Sequence, residues 1–542
     1  MYSRNLQKSG FFYGFPSRKK LDELYAKNVI KQQSLIDAIP SPNASSTNIL
    51  ILVPKSEANT ISVTLSSLPS SISLHVVCWP QDIHNCQTLL SQSQHATASL
   101  ITAPVSTLAS QGPVFVIYAG NVLHPDILKL LQHYCLEESD VLFCDTDNFV
   151  DGKRQSPVLL PDWNPDLQLS TAGVSTGVWF KNAAFIPTDF TCHAEAVALW
   201  LAELYLNDTL LHITHMPLVL VHSTQTLKFS YRRYAEYLNQ MHPQRVSFSE
   251  RKNHNYLAPT WSVKSSGFVS LVVPTKDAKG LVQTCIDSML ASTYQNFEIL
   301  LIDNNSTEKT SLEYFSLLNK HPKIRVLPYP KPFNYSSINN FAVEHAKGDI
   351  IGLINNDIEA INKDWLTYMV GHVERHDIGC VGAKLLYPDD RVQHAGVVMG
   401  YGGGAGHAHK YFPRYHPGYI KRLAATNNYS AVTAACLLVK KADYLAIGGL
   451  NESLSVAFND VDFCLRIRQL GRRNLFCAEA ELYHHESATR GHEDTREKLV
   501  RFEQEVDYLQ TTWADIIQHD PCYNPNLTLR RENFSIKENS EY

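Results

Sequence analysis

With 542 residues the chain exceeds what one ordinary hydrophobic core holds, so two or more domains are expected. An apolar fraction of 44% against 19% charged residues excludes a disordered chain, and a formal net charge of -5 gives no general basis for nucleic-acid binding. The eleven cysteines are scattered, without a C-x-x-C pair or zinc-like spacing, which suits a reducing compartment.

The basic N-terminus has no apolar stretch behind it and does not read as a secretory signal. The longest apolar runs, 49–54 and 431–439, fall well short of the about 20 residues of a membrane span. The expected location is cytoplasmic, with any membrane contact peripheral, at the inner face of the cell membrane.

In chain order, residues 1–45 read as a polar extension with a helix over 21–38. The run Ile49-Leu-Ile-Leu-Val-Pro54 is a short apolar stretch closed by proline, as in a buried strand. Further strands are expected at 73–78 and 114–118, and a helix at 127–136. The same order recurs later: strands at 268–274, 297–303 and 349–355, with a helix at 281–290. Strands alternating with helices imply mostly parallel sheets, and the recurrence reads as duplication of one α/β unit. The predicted organisation is an extension over 1–45, a first α/β domain over 46–225, a linker over 226–265, a second domain over 266–493, and a helix with tail over 494–542.

Ligands of an open parallel sheet bind at the carboxyl ends of its strands. In the second unit those ends are Thr275-Lys-Asp277, Asp303-Asn-Asn305 and Asn355-Asn-Asp357, where seven of nine residues are Asp or Asn. The matching positions of the first unit, Lys55-Ser-Glu57, Trp79-Pro-Gln81 and Ala119-Gly-Asn121, have lost nearly all of this. Strand ends loaded with Asp and Asn are costly unless used, so the second unit is expected to be catalytic and the first a scaffold or acceptor-binding domain. An Asp at a strand end suits a hard cation that bridges the two phosphates of a nucleoside diphosphate. Taken alone, Asn-Asn-Asp after a strand is more often a turn.

Ordered motifs surround it: Val269-Ser-Leu-Val-Val-Pro-Thr-Lys-Asp277, Leu301-Ile-Asp-Asn-Asn-Ser306, Phe333-Asn-Tyr-Ser-Ser-Ile-Asn-Asn340, Ala346-Lys-Gly-Asp349 and Leu353-Ile-Asn-Asn-Asp-Ile358. Val392-Gln-His-Ala-Gly396, Gly448-Gly-Leu-Asn-Glu452, Phe458-Asn-Asp-Val-Asp-Phe463 and Leu482-Tyr-His-His-Glu-Ser487 follow. In this set the chain resembles the family 2 glycosyltransferases of GT-A fold. More closely, it resembles bacterial two-module rhamnosyltransferase-like and O-antigen biosynthesis proteins. Pro161-Asp-Trp-Asn-Pro-Asp-Leu167 and Asp520-Pro-Cys-Tyr-Asn-Pro-Asn526 extend the resemblance over nearly the whole chain.

The resemblance implies two tandem GT-A-like modules, the first degenerate, and an inverting, metal-dependent hexosyl or deoxyhexosyl transfer. The sugar would pass from a nucleotide-diphosphate donor to a glycan, lipid-linked or protein acceptor in bacterial surface polysaccharide synthesis. It implies nucleotide-sugar contacts from Pro274, Thr275, Asp277, Asp303, Asn340, Asn355 and Asn356. Asn355 stands for the first Asp of the family's D-x-D, and Asn339 stands where many relatives carry Arg. Mn2+ or Mg2+ would be held by Asp357 and His484, with His485 a neighbour open to confusion with it. Gly448, Gly449 and Glu452 would shape the acceptor side. Asp460 is the expected base, with Asp462 as competitor; Asn459 is expected to cap their helix, which stops at Gly471. The glycine-rich Tyr401–His409 stretch reads as a lid or acceptor loop, lacking the Lys-Ser/Thr of a phosphate loop. The alternative is a non-catalytic carbohydrate-binding or assembly protein built on inactive modules.

Overall fold

The computed structural model describes residues 16–40, 47–70, 72–104, 112–134, 138–186, 191–251, 255–263, 267–485 and 496–541. Glu486 and Ser487 of the late motif, and the expected boundary at 493, lie outside these residues. A helix at Arg18–Ala38 opens the chain. The first sheet comprises β1 (Asn48–Leu52), β2 (Leu74–Cys78), β3 (Ser99–Thr102), β4 (Val114–Tyr118), β5 (Asn121–Leu123), β6 (Val141–Val150), β7 (Lys153–Val158), β8 (Val178–Phe180) and β9 (Ile213–Ser223). A helix at Tyr231–Met241 and the hairpin β10 (Val246–Arg251) and β11 (Tyr256–Trp261) follow, so much of the expected linker is regular structure.

The second half contains β12 (Val269–Thr275), β13 (Phe297–Asp303), β14 (Ile324–Pro328), β15 (Ile350–Ile354), β16 (Ile358–Ala360), β17 (Ile378–Leu386), β18 (Val392–His394), β19 (Val397–Met399), β20 (Ala405–His407), β21 (Asn427–Tyr429), β22 (Cys436–Lys440) and β23 (Arg473–His484). The two large sheets repeat one topology. The first runs β3-β2-β1-β4-β8-β6-β9-β5 and the second β14-β13-β12-β15-β22-β17-β23-β16, with β7 on β6 as β18 is on β17. In each, the first four strands in this order are parallel, and the next reverses direction. This is a duplicated, largely parallel α/β module.

The apolar runs form strands because both faces of each sheet are covered, which favours continuous rather than alternating hydrophobicity. All five residues of β4 and of β15 are buried. Two apolar clusters sandwich the second sheet, one containing Trp365, Leu271 and Leu301, the other Val272, Leu300 and Ile338. Each fully buried side chain of this kind contributes roughly 1.5–3 kcal/mol. Gly396 ends the Val-Gln-His-Ala-Gly motif because its φ is +95° and a Cβ there would lie 2.2 Å from the Tyr429 ring.

The two motifs for which the residues alone suggested no chemistry interlock the modules. Asn164 caps the helix Pro165–Thr171, accepting from Leu167 N–H, and every residue of that helix is buried. Asp166 forms an ion pair with Arg375, and Ser170 donates to the Thr426 carbonyl. From the tail, Asn524 donates to Asp145 Oδ2 at 2.8 Å and to the Leu160 carbonyl at 2.7 Å. Asp162 N–H in turn donates to the Pro521 carbonyl.

Candidate active site

The turn between β15 and β16 consists of Asn355, Asn356 and Asp357. Its backbone is held by Asn355 N–H donating to the Ala435 carbonyl, and Asn356 Nδ2 donates to Thr275 Oγ1 at 2.9 Å. The turn is thereby tied to the end of β12, directly after Pro274. In the β16–β23 ladder Ile358 stands opposite His484. This register brings the buried Asp357 Oδ1 to 3.1 Å from His484 Nε2. Asn355 Nδ2 lies 3.3 Å from the same ring nitrogen, and Gln393 Oε1 lies 2.6 Å from Nδ1. His485 sits elsewhere: its Nε2 pairs with the more exposed Glu359 at 2.8 Å. Successive strand side chains face opposite sides, which separates the two histidines.

The donor set fits a divalent cation. Neighbouring ligands on an octahedral ion with bonds of about 2.1 Å lie roughly 3 Å apart, close to the Asp357–His484 spacing. A carboxylate with an imidazole suits Mn2+ better than Mg2+. Among the described residues, the matching strand end of the first module has no such set: only Ala119 and Gly120 separate β4 from β5, and Ser223 stands opposite the first residue of β5. Its strand carboxylates are engaged internally, Asp145 with His215 at 2.9 Å and Asp147 with His222 at 2.6 Å and Arg154 at 2.7 Å.

Asp460 lies in the first turn of the helix Asn459–Gln469. Asn459, expected from sequence to cap this helix, does not. Phe458 occupies that position in the left-handed region without a side-chain bond, and Asn459 donates back to the Val456 carbonyl at 3.0 Å. Asn459 is itself the first helical residue, so its side chain stands one position too late to cap the helix. Beyond the last helical residue Gly471 takes φ +76°, as a helix stop requires. Asp460 accepts from Ala434 N–H at 3.1 Å and Val461 N–H at 2.9 Å. Burial raises its pKa above the usual carboxylate value, against the lowering effect of these bonds and of the Thr433 hydroxyl. Asp462 is fully buried and committed to Arg466, Tyr508 and Trp513 at 2.8, 3.2 and 3.1 Å.

Three consecutive residues connect the two halves of this site. Thr433 N–H donates to His394 Nε2 at 3.4 Å, Ala434 N–H to Asp460, and the Ala435 carbonyl accepts from Asn355. Thr433 and Gln393 were missed from sequence as individual residues. Thr433 lies in an otherwise apolar run, and Gln393 in a motif without an obvious ligand.

Asp277 and Asp303 meet through Ser306. Ser306 Oγ accepts from Asp277 N–H at 2.7 Å, and Ser306 N–H donates to Asp303 Oδ1 at 3.0 Å. Asp277 Oδ1 also accepts from Thr307 and Glu308 N–H at 2.7 and 2.8 Å, at the start of the helix Lys309–Leu318. A carboxylate there complements the helix dipole. Asn340, expected beside the nucleotide, spends all four bonds of its carboxamide within the chain. Its oxygen accepts from Leu450 N–H and Tyr444 Oη, and its nitrogen donates to the Leu450 carbonyl and Glu452 Oε1. Gly449 passes so close that a Cβ would lie 2.5 Å from Asn340 Oδ1, whereas Gly448 faces open space. Glu452 also accepts from Ser337 at 2.7 Å, and the Asn340 and Ser337 bonds lower its pKa. Asn339 is a core residue whose amide donates back to the Tyr335 carbonyl.

The glycine-rich stretch, expected to be a lid or acceptor loop, is tied down at its tip. It closes the β19–β20 hairpin, and the Leu529 carbonyl and Gln510 hold it through Gly402 and Gly403. His407 pairs with His394 at 2.8 Å, while the buried His409 accepts from Tyr419 N–H and stacks on Phe534. Elsewhere, the ligand atoms of His372, Cys477 and Glu479 lie within 4.8 Å of one another. Arg375 donates to His372 Nδ1 at 3.1 Å, and burial followed by the Arg375 charge lowers the imidazole pKa to about 3. A guanidinium beside the ring opposes a cation, so this cluster is a polar part of the module interface.

Residues 270–442 match the family model of glycosyl transferase family 2. The chain is 38% identical over 439 residues to protein y4gI of Sinorhizobium fredii (strain NBRC 101917 / NGR234), covering 77% of this chain and 48% of that protein. It is 30% identical over 463 residues to the O-antigen biosynthesis protein RfbC of Myxococcus xanthus, covering 78% of this chain and 34% of that protein. The chain thus spans less than half the length of these two relatives. Among solved structures it is similar to the mannosyltransferase PcManGT from Pyrobaculum calidifontis in complex with GDP-Man and Mn2+, with TM-score 0.35, 15% identity, and coverage of 46% of this chain and 65% of that one. It is also similar to GalNAc-T7 with UDP, GalNAc and Mn2+, with TM-score 0.39, 14% identity, and coverage of 52% and 55%. Residues 270–442, which hold the β12 and β15 strand ends, belong to glycosyl transferase family 2.

Proposed function

We propose that the second module is an inverting, divalent-metal-dependent glycosyltransferase that moves a sugar from a nucleoside-diphosphate donor to a hydroxyl of a glycan, lipid-linked or protein acceptor. The observation that carries this reading is that the Thr433–Ala435 segment contacts Asp460 directly and reaches the Asp357–His484 pair through Asn355. Asp357 and His484 would hold the cation, which when bound supplies charge neutralisation at the diphosphate. Thr275, Asn355 and Asn356 line the adjoining strand ends and would orient the donor. Asp460 Oδ would take the proton of the acceptor hydroxyl as that oxygen attacks the anomeric carbon, and the leaving nucleoside diphosphate departs on the opposite face. A raised pKa favours this role, because a more basic carboxylate accepts a proton more readily. The first module would act as scaffold or acceptor platform. The O-antigen relative supports surface polysaccharide synthesis as the setting.

The test is a thermal-stability screen of UDP-, dTDP- and GDP-sugars with Mn2+, followed by transfer assays on the donor that stabilises the fold. Stabilisation by one donor, with turnover lost in Asp460→Asn, is the expected result. A protein that binds glycan but no nucleotide-sugar would support the non-catalytic carbohydrate-binding alternative.

A further inference from the structure

We propose that Gln393 is a positioning residue for the metal half of this site: it holds the His484 imidazole as the tautomer whose Nε2 lone pair faces Asp357. The proposal rests on the reading of Asp357 and His484 as cation ligands. Its basis is a pair of one-directional partners at the two ends of the ring. Asn355 Nδ2 can only donate, and it lies 3.3 Å from Nε2, so Nε2 accepts. A neutral ring then carries its proton on Nδ1, where Gln393 Oε1, which can only accept, lies 2.6 Å away. These two contacts ask for the same tautomer, and Asp357 Oδ1 at 3.1 Å from Nε2 then meets a lone pair, the arrangement in which both atoms can face one cation.

Gln393 is flanked by residues paired on both sides, Val392 with Leu386 and His394 with Leu385. It is 5% exposed and sits in the middle of β18, which pairs with β17. Val392 N–H donates to the Phe412 carbonyl at 2.8 Å, and Tyr411 N–H returns to the Val392 carbonyl at 2.7 Å. The next residue, His394, turns to the other half of the site through Thr433 and Gly396 N–H. One short strand thus braces both halves. Groups that orient a ligating histidine in this way typically change metal affinity by about 10–100-fold when removed.

The experiment is titration of the full chain with Mn2+ alone, by calorimetry and by the electron paramagnetic resonance signal of free Mn2+. Gln393→Leu removes the acceptor at similar size and is expected to weaken Mn2+ binding by about 10–100-fold. Gln393→Glu keeps an acceptor oxygen at Nδ1 and is expected to restore most of it. Metal-free thermal midpoints and circular dichroism separate these effects from misfolding. Leucine and wild-type proteins with equal Mn2+ affinity, beside a His484→Ala protein that has lost it, would overturn the role of Gln393 alone. Mn2+ binding unchanged in both Asp357→Ala and His484→Ala, or absent from wild type, would overturn the ligand reading and the proposal with it.

Discussion

Asp166 of the first module and Arg375 of the second form a two-point ion pair, Nη1 to Oδ1 at 2.6 Å and Nη2 to Oδ2 at 3.2 Å, with side chains almost fully buried. Burial alone would raise the Asp166 pKa, but the Arg375 charge and hydrogen bonds hold it below the usual carboxylate value. Arg375 also stacks over Trp261 of the connecting hairpin at 4.3 Å. The cation therefore joins three parts of the chain.

Breaking such a pair on one side leaves an uncompensated buried charge. Arg375→Met is expected to lower stability in urea denaturation by about 3–5 kcal/mol, whereas Arg375→Met with Asp166→Leu recovers most of the loss. A carboxylate with depressed folded pKa contributes stability above its unfolded pKa of about 3.9 and loses it as pH falls through the lower folded value. Wild type should thus lose this contribution at acid pH, and the double variant should not. Equal acid sensitivity in the two proteins would count against the assignment.

His215 supplies the opposite pH signature. Burial lowers its pKa, but Asp145 and then Asp162 outweigh this and raise it to about 9. A raised folded pKa gives stability that is full below the unfolded value of about 6.5 and disappears as pH rises through about 9. The thermal midpoint is expected to fall across that window in wild type and to be flatter in His215→Gln. A wild-type midpoint that stays level from pH 6.5 to 9.5 would remove the charged pair from consideration.

The strand interiors were legible in sequence because strands buried on both faces read as unbroken apolar runs. Asp357 stood out directly after an apolar strand, whereas His484 and Asp460 were picked out by the ordered motifs of the resemblance rather than by any local pattern. The partners of Asn340 were not legible, since nothing in a helical Asn points to a loop about 110 positions later. Asp277 was opaque for a related reason: it serves the start of a helix about 30 residues downstream, outside the positions where caps are sought. Asn459 shows the reverse error, a good capping residue that stands one position inside the helix and donates to Val456 instead.

The two adjacent histidines give a paired test. His484→Ala is expected to abolish the thermal shift caused by Mn2+, because it removes the imidazole beside Asp357. His485→Ala removes only a pair with Glu359 at a more open position, worth about 0–1 kcal/mol, and should keep that shift. Loss of the Mn2+ response in His485→Ala with retention in His484→Ala would reverse the assignment.

Asp460 gives the sharpest kinetic expectation. As a base it works only when ionised, so turnover should rise with pH along a limb set by its own titration. Burial raises that pKa, so the limb is expected at higher pH than for an ordinary aspartate. Asp460→Asn should lower turnover by about 10²–10⁴ while leaving donor binding intact. Thr433→Val removes a hydroxyl that stabilises the ionised carboxylate, so its pKa must rise further and the acid limb must move to higher pH. Turnover at high pH, where the base is ionised in both proteins, should differ much less than turnover on the limb. A limb unmoved by Thr433→Val, measured with the same donor and Mn2+ concentration, would mean that another group titrates.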